Sequence, residues 1–402
     1  MSDSAPSKLI DSLGFASRAV HAGERAPRPD FTPTSTPIYL SNSYSYDDTE
    51  TLETAFQNER ASYVYGRHGN PSVRALELAI ASLERADQAL AVASGMAALH
   101  IAILNEVQAG SKIVASADLY GATSALLTNL FATLGVKTVF TDVFDLDSLR
   151  RIVAEVKPRV VLVETISNPL LRVADIAALA EIARANRARL VVDNSFASPY
   201  LVNPLHLGAH TVVHSTTKYL SGHGDVTGGA VASDEARIDE MCELNKLSGA
   251  ILGPFEAWLT LRGIKTLSLR MKQQSANAQA IAEWLQRHPR VSNVNYPGLC
   301  TPGPLEKQFN NVARGGMVSF DIRDAGRREV FVFLEAVKLV RSAITLGDVY
   351  TLALYPAMSS HRALTPEQRA GAGIGDGLVR LSVGIEDVED LIGDLEQALH
   401  AI

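Results

Sequence analysis

Short apolar runs separated by amphipathic stretches dominate the middle of the chain. The runs are Gln88-Ala-Leu-Ala-Val-Ala93, Lys112-Ile-Val-Ala-Ser116, Thr138-Val-Phe140, Arg159-Val-Val-Leu-Val-Glu164, Arg189-Leu-Val-Val192 and His210-Thr-Val-Val-His214. They are too short for helices and do not alternate with polar residues, which predicts strands covered on both faces. Helical stretches lie between them, at Ala97 to Val107, from Asp147 onward, and from about Asp175 to Asn186. Asn70 followed by Pro71 predicts another helix start, with Asn as N-cap and Pro in the first turn, and Val73, Leu76, Ile80 and Leu83 then fall on one face. Strands and helices alternating in this way imply an α/β fold with a mainly parallel sheet and helices on both faces.

The pattern changes towards both ends. Residues 1 to about 60 are rich in Ser, Thr, Pro and Tyr and show little periodicity, so they cannot build a core of their own and should lie across something else. A long amphipathic helix from about Thr266 to His288, ending before Pro289, marks the passage to a second region. There the strand-like Gly316 to Ile322, a helix from Arg328 to Val337, the strand Leu378 to Val383 and a last helix from Asp387 to Ala401 predict a smaller α+β domain. The expected division is an arm over 1–62, an α/β domain over 63–262 and a C-terminal domain over 263–402.

Composition narrows the class. A chain of 402 residues with 47% hydrophobic content can bury a large core. Its net charge of −7 is scattered, so neither a nucleic-acid nor a membrane surface is expected, and the partners should be small molecules and copies of itself. The cysteines Cys242 and Cys300 have no C-x-x-C spacing and the histidines do not cluster, so no metal site is expected. With no apolar run of secretory or membrane-spanning type, a cytoplasmic enzyme is the default.

Candidate chemistry sits where two of the runs end. Asp193 follows one, and Ser215-Thr216-Thr217-Lys218 follows the next. Neighbouring buried strands bring their last residues out together at the carboxyl edge of the sheet, where open α/β folds build sites. An enzyme that holds pyridoxal 5'-phosphate needs a lysine to condense with the cofactor aldehyde, a carboxylate to keep the pyridine nitrogen protonated, and donors for the phosphate. Lys218, Asp193 and the Ser215/Thr217 pair supply the three.

The stretch Ser215-Thr-Thr-Lys218-Tyr-Leu-Ser-Gly-His223 closely resembles the cysteine and methionine metabolism family of pyridoxal-phosphate enzymes, and the resemblance continues along nearly the whole chain. That family includes cystathionine γ-lyase, cystathionine γ-synthase, methionine γ-lyase and the homoserine-ester sulfhydrylases. The resemblance implies fold type I, the aspartate-aminotransferase-like architecture, with an N-terminal arm reaching a neighbouring subunit. It also implies a homodimer as the active unit, assembled into a homotetramer.

Further residues gain roles from the resemblance. Alone, Tyr65 and Arg67 in Tyr63-Val-Tyr65-Gly-Arg67-His68-Gly-Asn70-Pro71 are an ordinary exposed loop pair; in the family this Tyr and Arg reach the cofactor phosphate of the adjacent protomer. Ser94-Gly95-Met96 opens a helix, where free amides and the helix dipole favour a phosphate, and the family binds phosphate there. Tyr120, at a strand-to-helix junction, either plugs a core edge or, as in the family, stacks on the pyridine ring and donates a proton to the leaving group. Asn168 ends its strand at the same edge, beside the cofactor's phenolic oxygen in the family. Arg380 alternates out of an apolar strand and must meet an anion or an internal acid. The family grips the substrate carboxylate with this arginine and with a serine whose place Thr345 takes.

The implied reaction is γ-elimination on a sulfur amino acid (methionine, homocysteine or cystathionine), giving a 2-oxo acid, ammonia and a thiol, with Lys218 moving the protons. The alternative is γ-replacement on O-succinyl- or O-acetyl-homoserine. Ala122 stands where methionine γ-lyases carry a cysteine, and Asn245-Lys246 where they carry Lys-Asp, which counts against a dedicated methionine γ-lyase. Ile344 stands where cystathionine-handling members usually have a glutamate, while Ser359-Ser-His361-Arg362 has a look shared with some sulfhydrylases.

Overall fold

The computed structural model describes residues 14, 17, 31–57, 62–299, 304–359, 362 and 365–402. Cys300, Ser360 and His361 lie outside the described residues, as does most of the chain before Phe31. Met1–Pro37 and Ile38–Ile402 are two units, and the elements below belong to the second.

Seven strands form the larger sheet: β1 (Gln88–Val92), β2 (Lys112–Ser116), β3 (Lys137–Thr141), β4 (Val160–Glu164), β5 (Arg189–Asp193), β6 (Thr211–His214) and β7 (Gly229–Ser233). Their order is β1-β7-β6-β5-β4-β2-β3. Only β7 runs antiparallel to its neighbours. Being short and set behind a glycine-rich loop, β7 carries no pattern that separates it from a turn, and the reading by apolar runs passes over it. The other six coincide closely with the predicted runs.

Helices cover both faces, which explains why the strands are apolar throughout. Helix α1 (Pro71–Glu84), α2 (Gly95–Leu104), α3 (Leu146–Val156), α4 (Ile176–Ala185), α5 (Glu235–Ser248) and α6 (Pro254–Ile264) surround the sheet. Leu99 and Ile103 of α2 and Met241 of α5 pack on Leu162, Val191 and Val213. On the opposite face, Leu149 and Val153 of α3 and Leu179 of α4 pack on Val161, Val163 and Val192. Asn70 caps α1 as expected, its side chain accepting from the Ser72 amide. The inward line of α1 runs through Leu76, Ile80 and Glu84 at four-residue spacing, so Leu83 turns outward and is 37% exposed. Truncating Leu76 would cost about 2–5 kcal/mol.

Glu84 is buried for a reason. Its carboxylate meets His214 Nε2 at 2.5 Å and accepts from Asn194 Nδ2 at 3.0 Å. This network ties α1 to the ends of β5 and β6, next to Asp193 and Ser215.

Helix α7 (Leu267–Arg287) leads to a second sheet of β8 (Val291–Asn295), β9 (Met317–Ile322), β10 (Arg341–Ser342), β11 (Leu352–Leu354) and β12 (Leu378–Ser382), ordered β10-β11-β12-β9-β8. All its pairings are antiparallel except β10 with β11. Helices α8 (Arg327–Ala336) and α9 (Val388–His400) complete this half, whose core joins Ile281 and Leu285 of α7 to Phe320, Phe333, Leu381 and Leu395.

Residues 39–46 make contacts with the start of α1 and the loop before it. Tyr39 and Ser72 share a hydrogen bond, Tyr46 Oη donates to the Tyr63 carbonyl, and Ser43 bridges to Tyr65. No helix among the described residues is long and apolar enough to cross a membrane.

Candidate active site

Because β1, β2, β4, β5 and β6 point the same way, their carboxyl ends line one edge of the sheet. Ser94, Asp118 to Tyr120, Asn168, Asp193 and Ser215 to Lys218 follow those ends. This is the crevice in which open α/β sheets bind ligands.

Lys218 sits in a turn stapled on several sides. Its amide donates to the Ser215 carbonyl, and the Ser215 amide donates to Ser195 Oγ at 2.7 Å, joining the turn to the end of β5. Nζ donates to Thr345 Oγ1 at 2.9 Å. Gly347, at φ +85°, lets the Thr345 loop lie against Lys218 and Tyr219, since a Cβ there would fall 2.6 Å from the Tyr219 nitrogen. Burial, and then the Arg380 charge, lower the lysine to about 8. The amine is thus neutral over a useful fraction of time near neutral pH.

Asp193 is the last residue of β5, with Oδ1 accepting from the Ser195 amide at 2.9 Å. Loss of water raises its carboxyl above the ordinary value, opposed by the Ser195 hydrogen bonds and by His214. Along the same edge, Ser94 caps α2 by accepting from the Ala97 amide at 3.1 Å. The amides of Gly95 and Met96 then fall in the first turn, where intrahelical acceptors are lacking. Gly95 lies so close to Ser215 that a Cβ would come within 2.7 Å of the serine Cβ. The helix start and the Ser215 turn therefore lie directly against each other. The Thr217 hydroxyl faces Gly228 instead, donating to its carbonyl at 3.2 Å and accepting from its amide at 3.0 Å.

Arg380, 3% exposed, projects from β12 to the same place. Nη1 donates to Asn168 Oδ1 at 2.9 Å, and the guanidinium stands 5.9 Å from the Phe196 ring. No aspartate or glutamate pairs with it among the described residues, and its buried Nε has no hydrogen-bond acceptor there. Of the two readings of this arginine, the internal acid is thus absent. Burial lowers it to about 10, which still leaves it charged. Tyr120 is 43% exposed and held through its backbone amide, which donates to Glu164 Oε1 at 2.7 Å.

Two expected residues are not brought to Lys218 within the chain. Tyr65 and Arg67 are exposed, and Arg67 Nη1 donates to the Lys246 carbonyl at 2.7 Å, with its guanidinium 5.8 Å from the Tyr65 ring. Three residues that sequence reasoning left without a role belong to the site: Ser195, Phe196 and Glu164. Glu164 carried a readable signal, since it ends an apolar run as Asp193 does. Phe196 and Ser195 carried none, because only the turn after β5 aims them.

An amine of depressed basicity, a half-buried carboxylate, a buried guanidinium with no acid beside it among the described residues and a glycine-tight helix start suit an aldehyde, a pyridine nitrogen, a carboxylate and a phosphate respectively. The residues fit pyridoxal phosphate. Residues 16–400 match the family model described as Cys/Met metabolism PLP-dependent enzyme. An L-methionine γ-lyase of Pseudomonas putida is 41% identical over 394 residues, covering 96% of this chain and 98% of the relative. A cystathionine γ-synthase of Mycobacterium bovis is 42% identical over 388 residues, covering 96% and 97%. The crystal structure of cystathionine γ-synthase from Xanthomonas oryzae pv. oryzae in complex with aminoacrylate and cysteine superposes with a TM-score of 0.85 at 38% identity, covering 91% of this chain and 93% of that one. The fold is that of the type I pyridoxal-phosphate enzymes, and the chain belongs to the Cys/Met metabolism family of PLP-dependent enzymes.

Proposed function

We propose that the enzyme carries out γ-elimination on a sulfur amino acid without a distal charge, such as methionine or homocysteine, converting it with water to a 2-oxo acid, ammonia and a thiol. The observation that carries this reading is Ile344, 81% exposed and next to Thr345, whose hydroxyl holds Lys218. An apolar side chain there offers nothing to a second ammonium, and it suits a thioether or thiol.

Lys218 would hold the cofactor through its aldehyde carbon, Asp193 would pair with the pyridine nitrogen, and the Gly95 and Met96 amides with Ser94 and Ser215 would hold the phosphate, while Thr217, its hydroxyl bonded to Gly228, would steady the turn that carries Ser215 and Lys218. Asn168, which holds Arg380 Nη1 through Oδ1, would lie by the phenolic oxygen. Bound pyridoxal phosphate supplies an electron sink for negative charge at the substrate's α carbon. Arg380 binds the substrate carboxylate and fixes which bond at the α carbon faces Lys218. With its basicity lowered to about 8, Lys218 Nζ would serve as the base that accepts the α proton and then a β proton of the substrate. Thr345 Oγ1 orients Nζ for both transfers. Tyr120 or Lys218 supplies the proton that leaves with sulfur. Tyr65 and Arg67 complete the phosphate site of an adjacent protomer, so the active unit is a homodimer, within a homotetramer. Their exposure, with Arg67 bonded to the Lys246 carbonyl, supports this.

The γ-synthase relative, as similar as the γ-lyase, favours a second reading: γ-replacement on an O-acyl homoserine. Purified enzyme incubated with methionine, homocysteine, cystathionine and O-acyl homoserines, with and without cysteine, separates the two. Release of 2-oxobutyrate and thiol from methionine without cysteine supports elimination. Turnover confined to acyl homoserines in the presence of a thiol overturns it.

A further inference from the structure

Glu164 and Asp193 are partners in register at the ends of the parallel strands β4 and β5. Leu162 and Val191, two residues earlier, are also partners and pack into the same cluster. Both carboxyls therefore leave the same face of the sheet, on strands that lie about 4.8 Å apart. Neither is in an ion pair with a lysine, arginine or histidine among the described residues. Glu164 is 8% exposed, and what it does hold is an amide: Tyr120 N–H donates to Oε1 at 2.7 Å.

Two like charges on adjacent strands, one buried at Glu164 and one half-buried at Asp193, cannot both persist without a cation. We propose that the pair carries one negative charge, with the proton on Glu164 and the charge on Asp193, and that Glu164 is a positioning residue which sets the Tyr120 backbone through Oε1. This rests on the reading of Asp193 as partner of the pyridine nitrogen, whose cationic form would select Asp193 as the charged member. The groups facing Glu164 agree. Burial first, then Asp193 and Asp118, push it well above the ordinary value, against the amides of Tyr120 and Asn168. Asp118 is itself paired with Arg172, and His214 acts on Asp193 rather than on Glu164. The arrangement lets Tyr120 be anchored by a carboxyl without adding a second negative charge beside the electron sink.

The test uses holoenzyme labelled with 13C-glutamate and reconstituted with 15N-pyridoxal phosphate. Infrared difference spectra of wild type against Glu164→Gln should contain a protonated-carboxyl C=O band at neutral pH, and its loss on raising pH should shift to lower pH in Asp193→Asn. Glu164→Ala should bind cofactor about tenfold more weakly as the Tyr120 amide loses its acceptor, whereas Glu164→Gln keeps an acceptor oxygen and should restore binding. A glutamate already ionised at neutral pH, a titration indifferent to Asp193→Asn, or unchanged cofactor binding in Glu164→Ala overturns the proposal. An unchanged pyridine 15N shift in Asp193→Asn overturns the underlying assignment of Asp193, even where the two carboxyls still titrate as a pair.

Discussion

Arg380 Nη1 and Asn168 Oδ1 lie 2.9 Å apart although 212 positions separate them in the chain. The bond joins β12 of the smaller sheet to the loop leaving β4 of the larger one. It aims a buried cation from the smaller sheet at the edge of the larger one where Lys218 and Asp193 emerge.

If Arg380 grips the substrate carboxylate, Arg380→Gln removes a charge-assisted contact worth roughly 1.5–3 kcal/mol, or about ten- to a hundredfold in kcat/KM. The loss should appear mainly in KM, with cofactor affinity little changed. Arg380→Lys should recover only part of it, because an ammonium cannot reproduce the guanidinium fork. A variant with wild-type KM would assign Arg380 to the protein interior alone.

The Lys218 amine should titrate in the apoprotein near 8. Only the neutral amine attacks an aldehyde, so the rate of covalent cofactor capture should rise as pH increases through that value and level off above it. Burial is the larger cause and the Arg380 charge the second, so Arg380→Gln should move the inflection to higher pH without reaching the ordinary lysine value. Stopped-flow absorbance of apoenzyme mixed with cofactor reads both. An inflection at the ordinary lysine value in wild type would contradict the burial argument.

Mixing an inactive Arg67→Ala protein with an inactive Lys218→Ala protein under subunit exchange should restore part of the activity. A mixed dimer contains one site with both residues intact if Arg67 serves its neighbour. Absence of recovery after exchange has been verified by mass spectrometry would put the loop to work within its own chain.

Ile344→Glu should shift kcat/KM towards cystathionine relative to methionine by about ten- to a hundredfold, since a carboxylate could bond the distal ammonium. Competition between the two substrates, in a variant with normal cofactor content, measures the ratio directly. A ratio unchanged from wild type would remove Ile344 as a determinant of specificity.

Local chemistry made much of this protein legible before folding. Six of the seven strands of the larger sheet follow from apolar runs, because a strand buried on both faces must be apolar throughout. Asp193 stood out because a charged residue ending such a run has to emerge at the edge, and Lys218 because the hydroxyl-rich turn after the next run carries it to the same edge. Other features depend on contacts between distant segments. Strand β7 is recognisable only by its place between β1 and β6. Leu83 faces outward because Glu84 takes the inward position to meet His214. That Arg380 has Asn168 for a partner and no acid, that Thr345 holds the lysine, and that Glu164 stands in register with Asp193 all require two strands or loops to be brought together. Hydrophobic periodicity acts over a few residues and so can be read from the chain, whereas burial, register and the basicity they set arise only when the sheets close around the site.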